Sequence, residues 1–241
     1  MALPLNNNAE GGTSGTTVTA ANSGGASGDA FDSISIGTSA AFTFDNAQAA
    51  HGTLGYKYVE PATAVNISAA WTTAFGSQTT VFGRFYFYST ANPTGSLRAI
   101  RLFVAGVLKA NFNITTGGKL EFKDTATTTT STGVAIALSA WNRVEFQCTV
   151  SAGAATLEMK LWKTADSSGA ADDTITVTNG NTGSVAFDQI RFGISGFATN
   201  YTFWLDDLNV NSTGYPGPVV AAGRSLIFNE RQYQRNVLLV Q

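Results

Sequence analysis

Across residues 41 to 210 no window of helix length carries apolar residues at a 3.6-residue spacing, whereas short alternating runs recur throughout. The runs are "AFTF", "LGYKYV", "VNISAAW", "TVFGRFYFYS", "LRAIRLFVAG", "VLKANFNI", "KLEFKD", "VAIAL", "WNRVEFQCTV", "TLEMKLWK", "TITVT", "FDQIRFGIS" and "TFWLDDLNV". Each is closed by Gly, Asn, Pro, Ser or Thr and has the length of a strand. A strand with one apolar face must bury that face against another sheet, so the pattern predicts a sandwich or barrel. In "WNRVEFQCTV" the predicted inward set is Asn142, Val144, Phe146, Cys148 and Val150, and Cys148 is read as a small buried hydrophobe. Leu157, Met159 and Leu161 form the matching set in "TLEMKLWK". The threonine run "KDTATTTTST" is expected to be a hairpin loop or an extended, exposed edge.

The composition allows a real core and removes several function classes. Of the 241 residues 44% are hydrophobic and only 12% are charged, so the surface is polar but carries little charge. A net charge of −2 without a dense basic run gives no support to phosphate neutralisation, and no nucleic-acid partner is expected. No apolar run approaches the roughly 18 residues of a membrane-spanning helix, and "MALPLNNNAEGG" shows neither the basic nor the apolar region of a secretory signal. Cys148 is the single cysteine, which excludes an intrachain disulfide and a cysteine-built zinc site. His51 is the single histidine and is read as a hydrogen-bonded loop residue beside a glycine turn. Any Ser–His or Cys–His chemistry would have to use it.

"FWLDDLNV" places Asp206 and Asp207 side by side in an apolar strand. Strict alternation puts Asp206 with Trp204, Leu208 and Val210, and Asp207 with Phe203, Leu205 and Asn209, so one carboxylate is expected on the core face. A buried carboxylate needs a partner. Three are open: backbone N–H groups of the glycine-rich leader or a nearby Ser or Thr; an arginine such as Arg191 or Arg143; or a structural calcium ion at Asp206 and Asp207, with Glu10 completing an oxygen cage.

In "VFGRFYFY", Arg84, Tyr86 and Tyr88 share a face opposite Phe85 and Phe87, and could grip a glycan or a protein. Trp71, Trp141 and Trp162 are read as packing residues. The Glu-x-Asp-x-Glu triplet of many sandwich glycoside hydrolases is absent, as is a phosphate-binding glycine loop. No catalytic residue is assigned, and the chain is expected not to be an enzyme.

The organisation expected is a Gly/Ser/Thr-rich leader over residues 1–40, mostly ordered against the body, a sandwich over 41–213, and a linker with a docking arm over 214–241. The "GYPGP" stop opens the last segment. The arm carries Leu226, Ile227 and Phe228, then Arg231 and Arg235, then Val237, Leu238 and Leu239. Burial of its apolar clusters on a neighbour, with the arginines setting register, is the expected driving force.

The run "ALSAWNRVEFQCTV", followed by "ATLEMKLWK", resembles laminin-G-like and concanavalin-like jelly rolls. The leader, "NAQAAHGTLGYKY" and "FWLDDLNV…GYPGP" resemble a narrower group, the jelly-roll domains of tailed-bacteriophage virion proteins, particularly of phages of actinobacteria. The resemblance spans about residues 8 to 218. It implies an all-β, concanavalin-like jelly-roll sandwich of two antiparallel sheets with a C-terminal extension. It also implies a minor tail or capsid-decoration protein, assembled in the host cytoplasm, partnered by other virion proteins and copies of itself. A carbohydrate-binding module for a host-surface glycan is the alternative. No resident cofactor beyond the calcium ion is expected.

Overall fold

Two antiparallel sheets absorb the alternating runs. The structure is a computed structural model and describes residues 3–63, 65–197 and 200–219; the predicted arm at 226–239 lies outside them. In chain order the strands are β1 (Leu5–Asn7), β2 (Ser33–Ile36), β3 (Ala41–Asp45), β4 (Gly55–Glu60), β5 (Val65–Trp71), β6 (Thr80–Ser89), β7 (Leu97–Val104) and β8 (Val107–Ile114). They continue as β9 (Leu120–Lys123), β10 (Thr128–Thr130), β11 (Asn142–Thr149), β12 (Ala152–Trp162), β13 (Asp173–Asn181), β14 (Gln189–Phe197) and β15 (Tyr201–Asn211). The only helical element among the described residues is one 3-10 turn at Ala20–Asn22. An eight-stranded sheet runs β13-β12-β11-β6-β15-β4-β3 with β1 also beside β15, and a seven-stranded sheet runs β10-β9-β8-β7-β14-β5-β2. The architecture is the predicted all-β sandwich.

The core lies between the inner faces. Phe85 and Phe87, Val144, Phe146 and Cys148, Leu157, Met159 and Leu161 come from one sheet; Ile67, Leu102, Phe112, Ile190 and Phe192 come from the other. Phe112 and Phe146 meet across the gap with ring centroids 4.8 Å apart. Burial of this apolar set supplies the main favourable free energy.

Three segments depart from the sequence reading. "VAIAL" forms no strand: Ile136 is buried, its N–H donates to Gly118 O, and Asn142 Oδ1 accepts from the Ala137 N–H. A single buried anchor and a side-chain bond replace a ladder there. The threonine run supplies the edge strand β10, paired with β9 through Thr128–Lys123 and Thr130–Glu121. The glycine-rich leader is pinned by polar contacts: the buried Asn7 amide donates to Ser23 O and Asp29 O, and the Ser23 hydroxyl accepts from the Phe31 N–H. Phe31 packs on Tyr56 and Trp71.

β15 explains the acid pair. Its register with β6 passes from Asp206 opposite Tyr86 to Asn209 opposite Arg84, so the strand holds one extra residue there. Asp207 absorbs it with φ +46°, a conformation Asp tolerates better than most residues. The bulge reverses the alternation. Phe203 and Leu205 before it and Leu208 and Val210 after it all face the core. The expectation of a carboxylate on the core face is therefore corrected: neither acid faces it. The bulge falls where β15 changes neighbours, from β4 along Tyr201–Leu205 to β1 along Leu208–Val210.

At the end of β4, Glu60 is 1% exposed; its Oε1 accepts from the Val65 N–H and its Oε2 has no partner. Desolvation raises its carboxyl from 4.5 to about 7. Between those values the folded chain holds a proton that the unfolded chain releases, so this group's contribution to stability falls as pH rises. Glu60→Gln should remove part of the loss in urea midpoint between pH 5 and pH 8. Identical pH dependence in the two chains would reject this origin.

Candidate functional site: two opposed outer faces

The outer face of the eight-stranded sheet is charged and covered. Its rows follow from register: Trp162, Arg143, Tyr86 and Asp206 stand in line, then Lys160, Glu145, Arg84 and Asn209. Arg143 pairs with Glu145 at 3.0 Å, lies over Trp162 at 3.9 Å, and donates to Ala165 O and Ser167 O. These bonds draw the β12–β13 loop over the sheet. Asp206 Oδ2 accepts from the N–H groups of Ala50 (2.8 Å) and His51 (3.4 Å), and Oδ1 from that of Asp207. Its partners are thus backbone donors of the β3–β4 loop, not the leader, Arg191 or Arg143. Glu10 holds the same loop from the other side by accepting from the Thr53 and Leu54 N–H groups and the Thr53 hydroxyl.

His51 stands between two acids, with Nδ1 2.5 Å from Asp207 Oδ2 and Nε2 3.1 Å from Asp166 Oδ1. Tyr86 donates to the same Asp166 oxygen at 2.9 Å and meets the His51 ring edge-on. Burial pushes the Asp206 carboxyl well up, with the Asp207 charge adding to it, and burial raises Asp207 as well. Of the residues predicted to bind calcium, Glu10 and Asp206 direct oxygens at N–H donors and Asp207 at an imidazole. Among the described residues no group of three or more His, Cys, Asp or Glu side chains is arranged to hold a metal ion.

Residues 215–219 lie across this face as a strap. Arg84 Nη1 donates to Gly217 O at 2.9 Å, and the Val219 N–H donates to the Tyr86 hydroxyl at 2.9 Å. Arg84, Tyr86 and Tyr88 do share one face, as predicted. Arg84 and Tyr86 are buried beneath the strap, and Tyr88 packs between Trp141 and Trp204.

The outer face of the seven-stranded sheet is different. Lys123, Asn111, Arg101 and Arg191 form one row across β9, β8, β7 and β14, with Asn113 and Arg98 in the next. Arg101 is 3% exposed, donates from Nη2 to Ile194 O at 3.2 Å, and has no partner for Nε. Desolvation, with the charges of Arg191 and Arg98, lowers it to about 10. Arg191 lies over Phe103 and donates to Gln189. None of Arg98, Arg101, Arg191, Lys109 and Lys123 makes an ion pair among the described residues. The nearby acids are engaged: Glu121 accepts from Ser96, Asn113 and Thr130, and Asp124 from the N–H groups of Ala126, Thr127 and Asn181. Asn111 and Asn113 each bury an Oδ1 without a donor. One cavity here, of about 360 Å³, is lined by Arg98, Lys109, Asn111, Lys123 and Asp124; a second, of about 460 Å³, by Thr72, Asp188, Gln189 and Arg191, where Asp188 accepts from the Ala105 N–H.

Of these residues the sequence reading named only Arg191, and as a partner for the acid pair rather than as part of a basic row. The available signal was the repeated basic and amide positions in "LRAIRLF", "LKANFNI" and "DQIRF". Each looks like an ordinary solvated face until the ladder lines the strands up.

No protein-family model matches the chain, and no curated protein matches it. Solved structures do share its fold. An endo-β-1,4-glucuronan lyase from the fungus Trichoderma reesei superposes with a TM-score of 0.59 at 14% identity, over 76% of this chain and 91% of that one. An alginate lyase gives 0.58 at 7% identity, over 89% and 99%; a variant of it, in complex with an alginate tetrasaccharide, gives 0.59 at 9% identity over the same shares. A cellulose-induced protein gives 0.57 at 15% identity, over 76% and 92%. None of these is a virion protein, so they lend no support to the phage role. They do overturn the expectation that the chain is not an enzyme. That expectation rested on a missing carboxylate triplet, a signature of glycoside hydrolysis, and lyases of this same fold cleave by elimination instead. At these identities the likeness is one of fold: this chain is a jelly-roll sandwich.

Proposed function

We propose that this protein binds an acidic polysaccharide along the outer face of the seven-stranded sheet. The observation that carries the reading is the row Lys123–Asn111–Arg101–Arg191, whose cations have no counter-ion and whose central arginine is buried. A buried charge without a partner is costly, and an anionic ligand removes that cost. The donorless Asn111 and Asn113 oxygens add a demand for hydroxyl groups. A chain of uronic acids offers carboxylates and hydroxyls together, which nucleic-acid phosphates and neutral glucans do not. The shared fold of the glucuronan and alginate lyases supports the class of ligand. The setting we propose is a phage particle, on the sequence resemblance, where such a face would meet host-surface glycan.

Titration calorimetry against polyglucuronate, alginate and a neutral glucan of equal length tests this. Binding is expected for the acidic chains alone, weakening about tenfold between 0.05 and 0.5 M salt as the charges are screened. Equal affinity for the neutral glucan, or none for any of the three, would sink the proposal.

Eliminative cleavage in the same groove is a second reading, favoured by Lys109 and Lys123 beside Arg98 in one cavity. The arginines would neutralise the uronate carboxylate, and one lysine as its neutral amine would take the C5 proton. The C4–O glycosidic bond would break as the C4=C5 double bond forms, and the other lysine as ammonium would give its proton to the departing oxygen. Incubation with both polymers, followed by ultraviolet detection of the unsaturated product, decides it.

A further inference from the structure

The covered face holds its strap by contacts that do not depend on which chain supplies the strap. Gly217 lies against two buried charges: Arg84 donates to its carbonyl at 2.9 Å, and its N–H favours the charged form of the Glu145 carboxyl. The neighbouring Val219 N–H reaches the Tyr86 hydroxyl. Tyr215 donates to Glu158, with Lys160 3.8 Å over its ring and Phe82 edge-on at 5.2 Å. Residues 215–219 pair with no strand. Gly217 has φ +72°, which favours glycine, and the chain bends there between Pro216 and Pro218. Sheet side chains hold the main chain at Gly217 and Val219, and the half-buried Tyr215 packs on Lys160 and Phe82.

The link to the body is slight. β15 ends at Asn211, whose Oδ1 accepts from the Thr213 and Gly214 N–H groups, and a Cβ on Gly214 would touch nothing. Arg84 and Glu145 are both buried; without the strap Glu145 keeps its pair with Arg143 and Arg84 its bond to the Asp207 carbonyl, but the Arg84 Nη1 donor loses its acceptor. Beyond Val219 the sequence continues to Gln241 with two apolar clusters suited to contact with a neighbour. We propose that this face is a receptor groove for the Tyr-Pro-Gly-Pro-Val segment, and that copies of the protein exchange the segment, each filling the groove of the next. The inference is independent of the glycan groove on the opposite sheet.

Two full-length variants test it. Tyr215→Ala with Val219→Pro keeps the groove and weakens the strap. Arg84→Met with Glu145→Gln keeps the strap and removes the grip. A peptide of residues 214–220 should bind the first variant. It should bind the wild-type chain at least about tenfold more weakly, because a tethered strap competes at an effective concentration on the order of millimolar. The two variants mixed should run as a hetero-oligomer in size-exclusion chromatography with light scattering, whereas the first variant alone should not self-associate. Circular dichroism and a thermal melt establish that each variant is folded. If the folded first variant ignores the peptide, the receptor groove is overturned. If the mixture stays as two monomers, exchange is overturned and the strap acts only within its own chain.

Discussion

Arg101→Met should cost acidic-glycan affinity while leaving the fold as stable as before, or more so. Arg101 sits at the centre of the cationic row, nearly fully buried, with one bond to Ile194 O and no partner at Nε. Desolvation and the flanking charges of Arg191 and Arg98 already press on its charged form. Methionine fills a similar volume without a charge, and apolar replacements of buried charges are often neutral or stabilising. The ligand loses a charge-assisted bond worth roughly 1.5–3 kcal/mol, which is about 10- to 100-fold in Kd. Calorimetric titration with polyglucuronate and a urea melt report the two quantities separately. Retained affinity would place the ligand elsewhere. A large loss of stability would show that Arg101 is a structural anchor rather than a group held ready for an anion.

Asp206→Ala should be the most destabilising single change at the bulge. The side chain is 0% exposed and accepts from the backbone N–H groups of Ala50, His51 and Asp207. Truncation orphans these donors and releases the β3–β4 loop, a loss of about 3 kcal/mol from unmet buried hydrogen bonds. Asp206→Asn removes the like charge beside Asp207 and keeps one acceptor oxygen for the Ala50 and His51 N–H groups, but it turns its amide NH2 toward the Asp207 N–H, so it should lose about 1–2 kcal/mol, less than Ala. Burial raises both carboxyls, so their joint contribution to stability falls as pH rises above the ordinary carboxylate range, and the Asn variant should be less sensitive to pH there. Urea unfolding of the three chains at pH 5 and pH 8 measures this. Equal losses for Ala and Asn would mean that the backbone donors are not what Asp206 contributes.

The correction about the acid pair and the missed basic row share a cause. Alternation within a strand is local, and it was legible for Phe85, Phe87, Val144, Phe146 and Cys148, all of which are buried as expected. A bulge is not local in the same sense. It forms where β15 changes neighbours from β4 to β1, and those strands lie far from β15 in sequence. One extra residue there turned the faces of Leu208 and Val210 relative to a strict period of two.

By itself the sequence determined that the chain is all-β, where most strands lie, and which face of each carries the core, because side-chain period and turn chemistry act over a few residues. Tertiary structure alone decided which strands became neighbours. That choice set Arg101 beside Arg191 and Asn111, and joined His51 to Asp166 and Asp207. It also laid Gly217 between Arg84 and Glu145. The physical reason is that hydrogen-bonded ladders bring together residues that are distant along the chain, and charge and burial at a site depend on that assembled neighbourhood rather than on the residues taken one at a time.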